Sequence, residues 1–120
     1  MSKTVLIVEN YADRRSMMKI IVQWYGYDVI EATNGYEAIE KTVQYHPDLI
    51  LMDLVLPQID AATATRIIRK IEGYDKVSIV AMTESNNACY EKVIASGFDD
   101  VLVQPLYSEN MKPYLRRYIH

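Results

Sequence analysis

The sequence predicts an α/β fold in which five parallel strands form a sheet covered by five helices on both faces. Short apolar runs alternate with amphipathic stretches along the whole chain of 120 residues. The first and third runs, TVLIV and LILM, are apolar at consecutive positions, as expected of parallel strands buried on both faces. This alternation predicts a doubly wound sheet, for which a common five-stranded order is 2-1-3-4-5. Ligands of such sheets bind at the carboxyl ends of strands one and three.

The five predicted strands share a β-branched or aliphatic composition and a polar boundary on at least one side. They cover residues 4–8, 28–32, 49–52, 77–82 and 101–103. Strands one and three have the most continuous apolar runs. We therefore expect these two strands to lie in the interior of the sheet.

The predicted helices are identified by apolar residues at helical spacing and by their end signals. Asn34 and Asp60 are candidate N-caps, and the first helix should stop near Gly26. Pro113 lies inside the last helix, where it removes a backbone donor and is expected to kink the helix or delay its start. The apolar positions assigned to the five helices are Met17, Ile20, Ile21 and Trp24; Tyr36, Ile39 and Val43; Ala64, Ile67, Ile68 and Ile71; Val93 and Ile94; and Met111, Leu115 and Tyr118.

Length and composition limit the classes of protein to which the chain can belong. A chain of 120 residues fits one domain spanning residues 1–120. The net charge is −3 with scattered Lys and Arg, which argues against direct binding of nucleic acid. The single cysteine, Cys89, cannot form an internal disulfide, which favours a reducing, cytoplasmic location. We find no signal peptide and no apolar run long enough to cross a membrane.

Polar residues follow four of the predicted strands at the edge where ligands are expected. Glu9 and Asn10 follow strand one, Asp53 follows strand three, and Thr83 and Gln104 follow strands four and five. A buried carboxylate is unfavourable unless it is paired, hydrated or bound to a cation. Two carboxylates on neighbouring strand ends repel each other, and Mg²⁺ suits such an oxygen-only site.

Each of these residues also has a simpler interpretation. Asp53 can be a loop aspartate that caps a turn, and Glu9 taken alone is better explained as a solvated residue at a strand end. Thr83 can be a strand-end threonine, and Gln104 the polar start of a turn. The combination of all of them at one edge of the sheet therefore carries more weight than any single residue.

Four segments resemble the receiver domain of response regulators, which has a flavodoxin-like fold. They are VLIVEN, PDLILMDLVLPQIDA, VAMT and ASGFDDVLVQPL, at residues 5–10, 47–61, 80–83 and 95–106. The segments occur in order and run nearly the full length of the chain. The third-strand segment, with an aspartate before a hydrophobic loop, a proline and a second aspartate, is the most specific.

The resemblance implies a signalling protein of two-component phosphorelays, not an enzyme, although it would promote its own phosphorylation. Asp53 would accept a phosphoryl group from phosphohistidine on a histidine kinase or phosphotransfer protein. Thr83 would hydrogen-bond a phosphoryl oxygen and pull its loop inward. That shift would change a protein-binding face made by helix four, strand five and helix five. Receivers commonly dimerise through the last helix, so a homodimer is also implied.

The resemblance further implies a Mg²⁺ site formed by Glu9, Asn10, Asp53 and the backbone carbonyl of Val55. Four positions depart from the family, of which Ala61 is the lesser change. Asn10 replaces a second aspartate, which should weaken Mg²⁺ binding. Gln104 replaces a lysine and supplies no positive charge, although its amide can donate a hydrogen bond. Val101 replaces the aromatic switch residue, and Ala61 replaces a common glycine.

Three functional readings follow from this combination. The chain can be an atypical receiver that is still phosphorylated, or a degenerate receiver that binds a partner without phosphorylation. A small hydrolase or phosphatase is disfavoured because Cys89 falls within a predicted helix and no histidine lies near a strand end. Output through a binding partner is expected for a stand-alone receiver, whereas an excised receiver would have lost an output domain.

Overall fold

The computed structural model describes residues 2–84, 90–104 and 108–119, with the side chain of Ser108 left out. These residues form one parallel sheet in the order β2-β1-β3-β4-β5, which confirms the predicted topology. Its strands are β1 (Thr4–Val8), β2 (Asp28–Ala32), β3 (Leu49–Asp53), β4 (Ser78–Thr83) and β5 (Asp100–Val103). The described helices are α1 (Ala12–Trp24), α2 (Gly35–Tyr45), α3 (Ala61–Lys70), α4 (Tyr90–Ala95) and α5 (Ser108–Tyr118).

The sheet separates two hydrophobic layers. Alternate residues of each strand point to opposite faces, so the unbroken apolar runs fill both layers. Helices α1 and α5 cover one face, where Met18 and Leu115 pack with Val5 and Leu51. Helices α2, α3 and α4 cover the other. Among the described residues, no helix combines the length and apolarity that a membrane span requires.

The predicted inward face of α1 is wrong for three of its four residues. Met17, Ile20 and Trp24 are exposed, and Trp24 has 79% of its surface in solvent. Only Ile21 is buried as predicted, together with Met18 and Val22. Positions 17–22 of this helix contain two overlapping apolar stripes one residue apart. Periodicity alone therefore could not decide which stripe contacts the sheet.

Helix α2 also presents a different face from the predicted one. Tyr36 and Val43 are exposed, whereas the small residues Gly35, Ala38 and Thr42 are buried. A Cβ atom at Gly35 would lie 2.6 Å from Cγ1 of Ile59, so any side chain here would require Ile59 to shift. Helix α2 packs closely against Ile59 and Ala64 at this position, so small residues form its buried face and its large side chains point outward.

The remaining helix predictions agree more closely with the structure. Asn34 accepts a hydrogen bond from the N–H of Glu37 at 2.9 Å, and Asp60 accepts one from that of Thr63 at 2.7 Å, which confirms both N-caps. In α3, Ile67 is 40% exposed, contrary to the prediction. The buried residues predicted correctly in α3 and α5 are Ala64, Ile68, Met111 and Leu115. Pro113 lies inside α5, which begins five residues earlier, so the predicted late start of the helix is wrong.

Candidate functional site

The carboxyl ends of β1 and β3 bring Glu9 and Asp53 side by side. Val8 pairs with Met52 in the parallel register, and the two acids are the next residue on each strand. Glu9 is fully buried and Asp53 is 3% exposed. The interpretation of Glu9 as a solvated strand-end residue is therefore wrong. Two carboxyl groups are instead held together at the ligand-binding edge of the sheet.

The hydrogen bonds of this pair are incomplete. Oδ1 of Asp53 accepts from the N–H of Val55 at 2.9 Å, and Oε2 of Glu9 accepts from the N–H of Tyr11 at 3.1 Å. Oε1 of Glu9 has no hydrogen-bond partner among the described residues, although Nε of Arg14 lies 3.5 Å away. A buried carboxylate oxygen without a hydrogen bond is a natural position for a cation.

The electrostatics of the site act most strongly on Asp53. Burial raises the pKa of Asp53 to about 7, and the neighbouring Glu9 carboxyl acts in the same direction. The Val55 N–H and the Arg14 guanidinium oppose the rise in the Asp53 pKa. The ionised form of Asp53 is thus disfavoured in the protein alone and would be stabilised by a bound cation.

A cavity of about 290 Å³ opens beside Asp53. The residues that line it come from the ends of β3 and β4 and from the start of α1: Tyr11, Arg14, Asp53, Val55, Thr83 and Glu84. The carboxylate of Asp53 and the hydroxyl of Thr83 therefore share one solvent-connected space. The cavity has room for a group of phosphoryl size next to the carboxylate.

The other predicted site residues differ in their burial and in their distance from this cavity. Thr83 is 8% exposed, and Gln104 is 7% exposed just after β5. The two are joined because the N–H of Gln104 donates to the carbonyl of Thr83 at 2.6 Å. Val55 lines the cavity, and its side chain is exposed. This placement is compatible with the expected role of Val55, which is to bind Mg²⁺ through its backbone carbonyl. Asn10 is exposed and lies outside the buried group.

Arg14 is a site residue that the sequence analysis missed. Its Nη1 donates to Oε1 of Gln104 at 3.2 Å and also to the carboxylate of Glu84. Its guanidinium carbon lies 4.4 Å from the ring centre of Tyr11. The helix dipole disfavours a cation in the first turn of a helix, so an arginine there was a signal of some other role.

The donor set of the pocket fits a water-rich magnesium site. Within the described ranges, no group of three or more His, Cys, Asp or Glu side chains is arranged to hold a metal. Mg²⁺ usually binds one or two carboxylates and keeps several waters, so Glu9 and Asp53 are sufficient. Cys89, considered above from the sequence, lies outside the described part of the chain.

Comparison with known proteins agrees with this geometry. The family of response regulator receiver domains matches residues 5–116. The chemotaxis protein CheY of Thermotoga maritima is 39% identical over 106 residues, which is 88% of this chain and 88% of that protein.

Two solved structures bear on the pocket. The receiver domain of the sensor histidine kinase PA1611 from Pseudomonas aeruginosa has a magnesium ion coordinated in its active-site cleft. It superposes with a TM-score of 0.91 at 28% identity, covering 99% of this chain and 98% of that one. The co-crystal structure of the Saccharomyces cerevisiae phosphotransfer protein Ypd1 with the Ssk1 receiver domain gives a TM-score of 0.89 at 26% identity, covering 98% of this chain and 88% of that one.

The topology, the acidic pocket at the ends of β1 and β3 and the near full-length family match agree with one another. The chain belongs to the family of response regulator receiver domains of two-component signalling.

Proposed function

We propose that Asp53 accepts a phosphoryl group from a phosphohistidine residue of a histidine kinase or phosphotransfer protein. The observation that carries this proposal is a nearly buried carboxylate at the end of β3, opening onto a cavity shared with Thr83. In the reaction, an Asp53 oxygen forms a bond to phosphorus as the phosphorus–nitrogen bond breaks. The electron pair of that bond stays with the imidazole of the partner. The product is an acyl phosphate.

Glu9 and Asp53 would hold Mg²⁺, with Asn10 and the backbone carbonyl of Val55 as further oxygen ligands. The ion would neutralise charge on the phosphoryl oxygens during transfer. Asn10 is uncharged and exposed, so we expect weaker Mg²⁺ binding than with an aspartate at this position. Thr83, at the end of the neighbouring strand β4, would hydrogen-bond a phosphoryl oxygen.

We further propose that residues 1–120 act as one receiver domain whose output is a change in a protein-binding face. That face would comprise α4, β5 and α5, and its last helix can also serve a homodimer. Val101 has no ring to rotate, but the hydroxyl of Tyr114 in α5 donates to the Val101 carbonyl at 2.8 Å. This hydrogen bond connects α5 directly to the backbone of β5. It offers a route from Thr83 through β5 to α5 that needs no aromatic side chain at Val101.

A second candidate is a degenerate receiver that binds its partner without phosphorylation. One specific observation favours it: the guanidinium of Arg14 lies 3.5 Å from Oε1 of Glu9. The charge of the buried acids is thus partly neutralised by the protein itself. A pocket neutralised in this way can remain folded and recognisable without metal or phosphate.

The two candidates are distinguished by intact-mass spectrometry after incubation with acetyl phosphate and Mg²⁺. We expect the wild-type chain to gain one phosphoryl group, and Asp53→Asn to gain none. Asp75→Asn, which removes an exposed carboxylate far along the chain, serves as the matched control and should behave as wild type. Addition of EDTA should suppress the gain. A wild-type chain that stays unmodified at high donor concentration would favour the phosphorylation-independent module.

A further inference from the structure

A single cationic side chain lines the described wall of the cavity beside Asp53, and it is that of Arg14. We propose that the Arg14 guanidinium binds the phosphoryl oxygens during transfer to Asp53 and that Gln104 is its positioning residue. This inference rests on the proposed phosphorylation of Asp53. In this proposal the protein's own positive charge in the pocket comes from Arg14, in the first turn of α1.

The charges around the cavity favour such a cation in addition to Mg²⁺. An incoming phosphoryl group meets the carboxylates of Asp53 and Glu84 on the cavity wall, with the Glu9 carboxyl buried behind them. These groups repel the negatively charged phosphoryl oxygens. Arg14 lies on the same wall, and a guanidinium binds phosphate oxygens through charge-assisted hydrogen bonds.

Several contacts fix the position of the guanidinium. Oε1 of Gln104 accepts from Nη1 at 3.2 Å, and Oε1 of Glu9 lies 3.5 Å from Nε. The Tyr11 ring lies against the guanidinium, with its centre 4.4 Å from Cζ. A guanidinium only donates hydrogen bonds, so it is the oxygen of the Gln104 amide that must face it. Gln104 therefore acts on the pocket through Arg14.

The remaining contact of Arg14 can be exchanged for a ligand. Its partner Glu84 has 68% of its side chain exposed. Exposed ion pairs contribute little to stability, so the guanidinium can leave Glu84 for a phosphoryl oxygen at small cost. Arg14 keeps all its protons throughout: an Asp53 oxygen bonds to phosphorus, and the donor leaves with the electron pair of its broken bond. The contribution of Arg14 is electrostatic, and it increases as charge spreads over the phosphoryl oxygens.

The test measures the rate constant of phosphorylation by acetyl phosphate in single and double variants, with intact-mass spectrometry as the readout. Arg14→Ala should slow phosphorylation roughly 100-fold, at the lower end of the range found when one transition-state hydrogen-bond donor is removed. Arg66→Ala removes an equal charge from the exposed side of α3 and should leave the rate unchanged. Circular dichroism and thermal unfolding establish that each variant is folded.

The decisive variant is Gln104→Lys in two backgrounds. In Arg14→Ala, the new ammonium group replaces the missing charge and should restore the rate at least about fivefold. In the wild-type chain, the same change removes the acceptor of Arg14 and places two cations together, so it should not raise the rate. A merely structural role of Arg14 does not produce this reversal.

The outcomes separate this inference from the proposed function. If the wild-type chain is not phosphorylated at all, both are refuted. If the wild-type chain is phosphorylated and Arg14→Ala stays within about threefold of it, only the role of Arg14 is refuted. The same holds if Arg14→Ala is slow and Gln104→Lys fails to restore the rate, or if Gln104→Lys acts equally in both backgrounds.

Discussion

Nη1 of Arg14 lies 3.2 Å from Oε1 of Gln104, which connects the first turn of α1 to the residue after β5 across the ligand-binding edge of the sheet. A lysine at position 104 would lie next to this guanidinium and be repelled by it. The uncharged glutamine instead accepts its hydrogen bond. The departure at position 104 and the presence of Arg14 are thus two parts of one arrangement.

The first prediction concerns the acceptor of this hydrogen bond. Gln104→Met preserves the length of the side chain but removes its oxygen, so Arg14 loses one of the contacts that fix it. We expect phosphorylation by acetyl phosphate to slow roughly 3- to 10-fold, or about 0.7–1.4 kcal/mol. The effect should be smaller than that of Arg14→Ala because Arg14 keeps its contacts with Glu9 and Tyr11. The measurement is the rate of mass gain.

Gln104→Glu is the control for the loss of the acceptor. It keeps an oxygen opposite Arg14 and should preserve the hydrogen bond, although it adds a negative charge to the pocket. A rate for Gln104→Met equal to that of the wild-type chain would show that Arg14 does not depend on Gln104.

The second prediction concerns Mg²⁺ affinity. Asn10→Asp adds a third carboxylate to those of Glu9 and Asp53, and we expect it to tighten Mg²⁺ binding roughly tenfold, or about 1.4 kcal/mol. Isothermal titration calorimetry measures the affinity independently of phosphorylation. Asn10→Ala tests the amide oxygen separately from the added charge. It should weaken Mg²⁺ binding only if the Asn10 oxygen contacts the ion or its waters. An unchanged affinity in Asn10→Asp would exclude position 10 from the metal site.

The fold could be predicted from the sequence because its strands are specified by local composition. The runs TVLIV and LILM are apolar at positions that face both layers, and this pattern fits few other structures. The faces of α1 and α2 were harder to predict. In α1 two apolar stripes overlap, and in α2 the buried residues are the small Gly35, Ala38 and Thr42, with Gly35 tight against Ile59 and Ala64. Such preferences depend on packing distance, which helical periodicity does not contain.

The sequence predicted the two acidic residues of the candidate site, but it did not predict the arginine. Asp53 and Glu9 interrupt apolar strands, so their position at the strand ends was visible in the sequence. The only sequence signal at Arg14 is a cation in the first turn of α1, where the helix dipole disfavours it, and its partner Gln104 is ninety positions away. Only the strand order brings these two residues together. A side-chain contact between residues so distant in the sequence leaves no periodic pattern.

The third prediction follows from the raised pKa of Asp53. Its folded-state pKa is about 7 against an ordinary value near 3.8, so the folded chain holds this proton over a pH range in which the unfolded chain has lost it. The free energy of unfolding should therefore fall as pH rises from about 4 to about 7. Asp53→Asn lacks this penalty and should exceed wild type in stability by about 1–2 kcal/mol above pH 7, after allowance for water in the open cavity.

Urea unfolding of both proteins between pH 4 and 8, with EDTA present, measures this difference. The advantage of Asp53→Asn should shrink toward pH 4, and Mg²⁺ should reduce it above pH 7 by stabilising the wild-type carboxylate. Asp75→Asn controls for general effects of net charge. An advantage that stays constant with pH would show that Asp53 ionises in the folded chain as it does in the unfolded one.

The last prediction concerns the attachment of α5 to the sheet, on which the proposed output face depends. Oδ2 of Asp100 accepts from the Tyr118 hydroxyl at 2.9 Å and from Nη1 of Arg117 at 3.1 Å. Its Oδ1 accepts from the N–H of Val101 at 2.8 Å. Asp100 is itself 8% exposed, and its replacement removes three hydrogen bonds at once. We expect Asp100→Ala to lower the free energy of unfolding by about 2–3 kcal/mol.

Tyr118→Phe removes one of these hydrogen bonds while keeping the ring, and it should lower the free energy of unfolding by only about 1 kcal/mol. Urea denaturation measures both variants, and amide hydrogen exchange locates the effect. Faster exchange in Asp100→Ala should concentrate in α5, because its hydrogen bonds to the end of that helix are lost while the ladder between β3 and β4 is untouched. Uniform acceleration across the sheet would instead show that Asp100 stabilises the whole domain, and α5 would then be unsuited to move separately from β5 on phosphorylation.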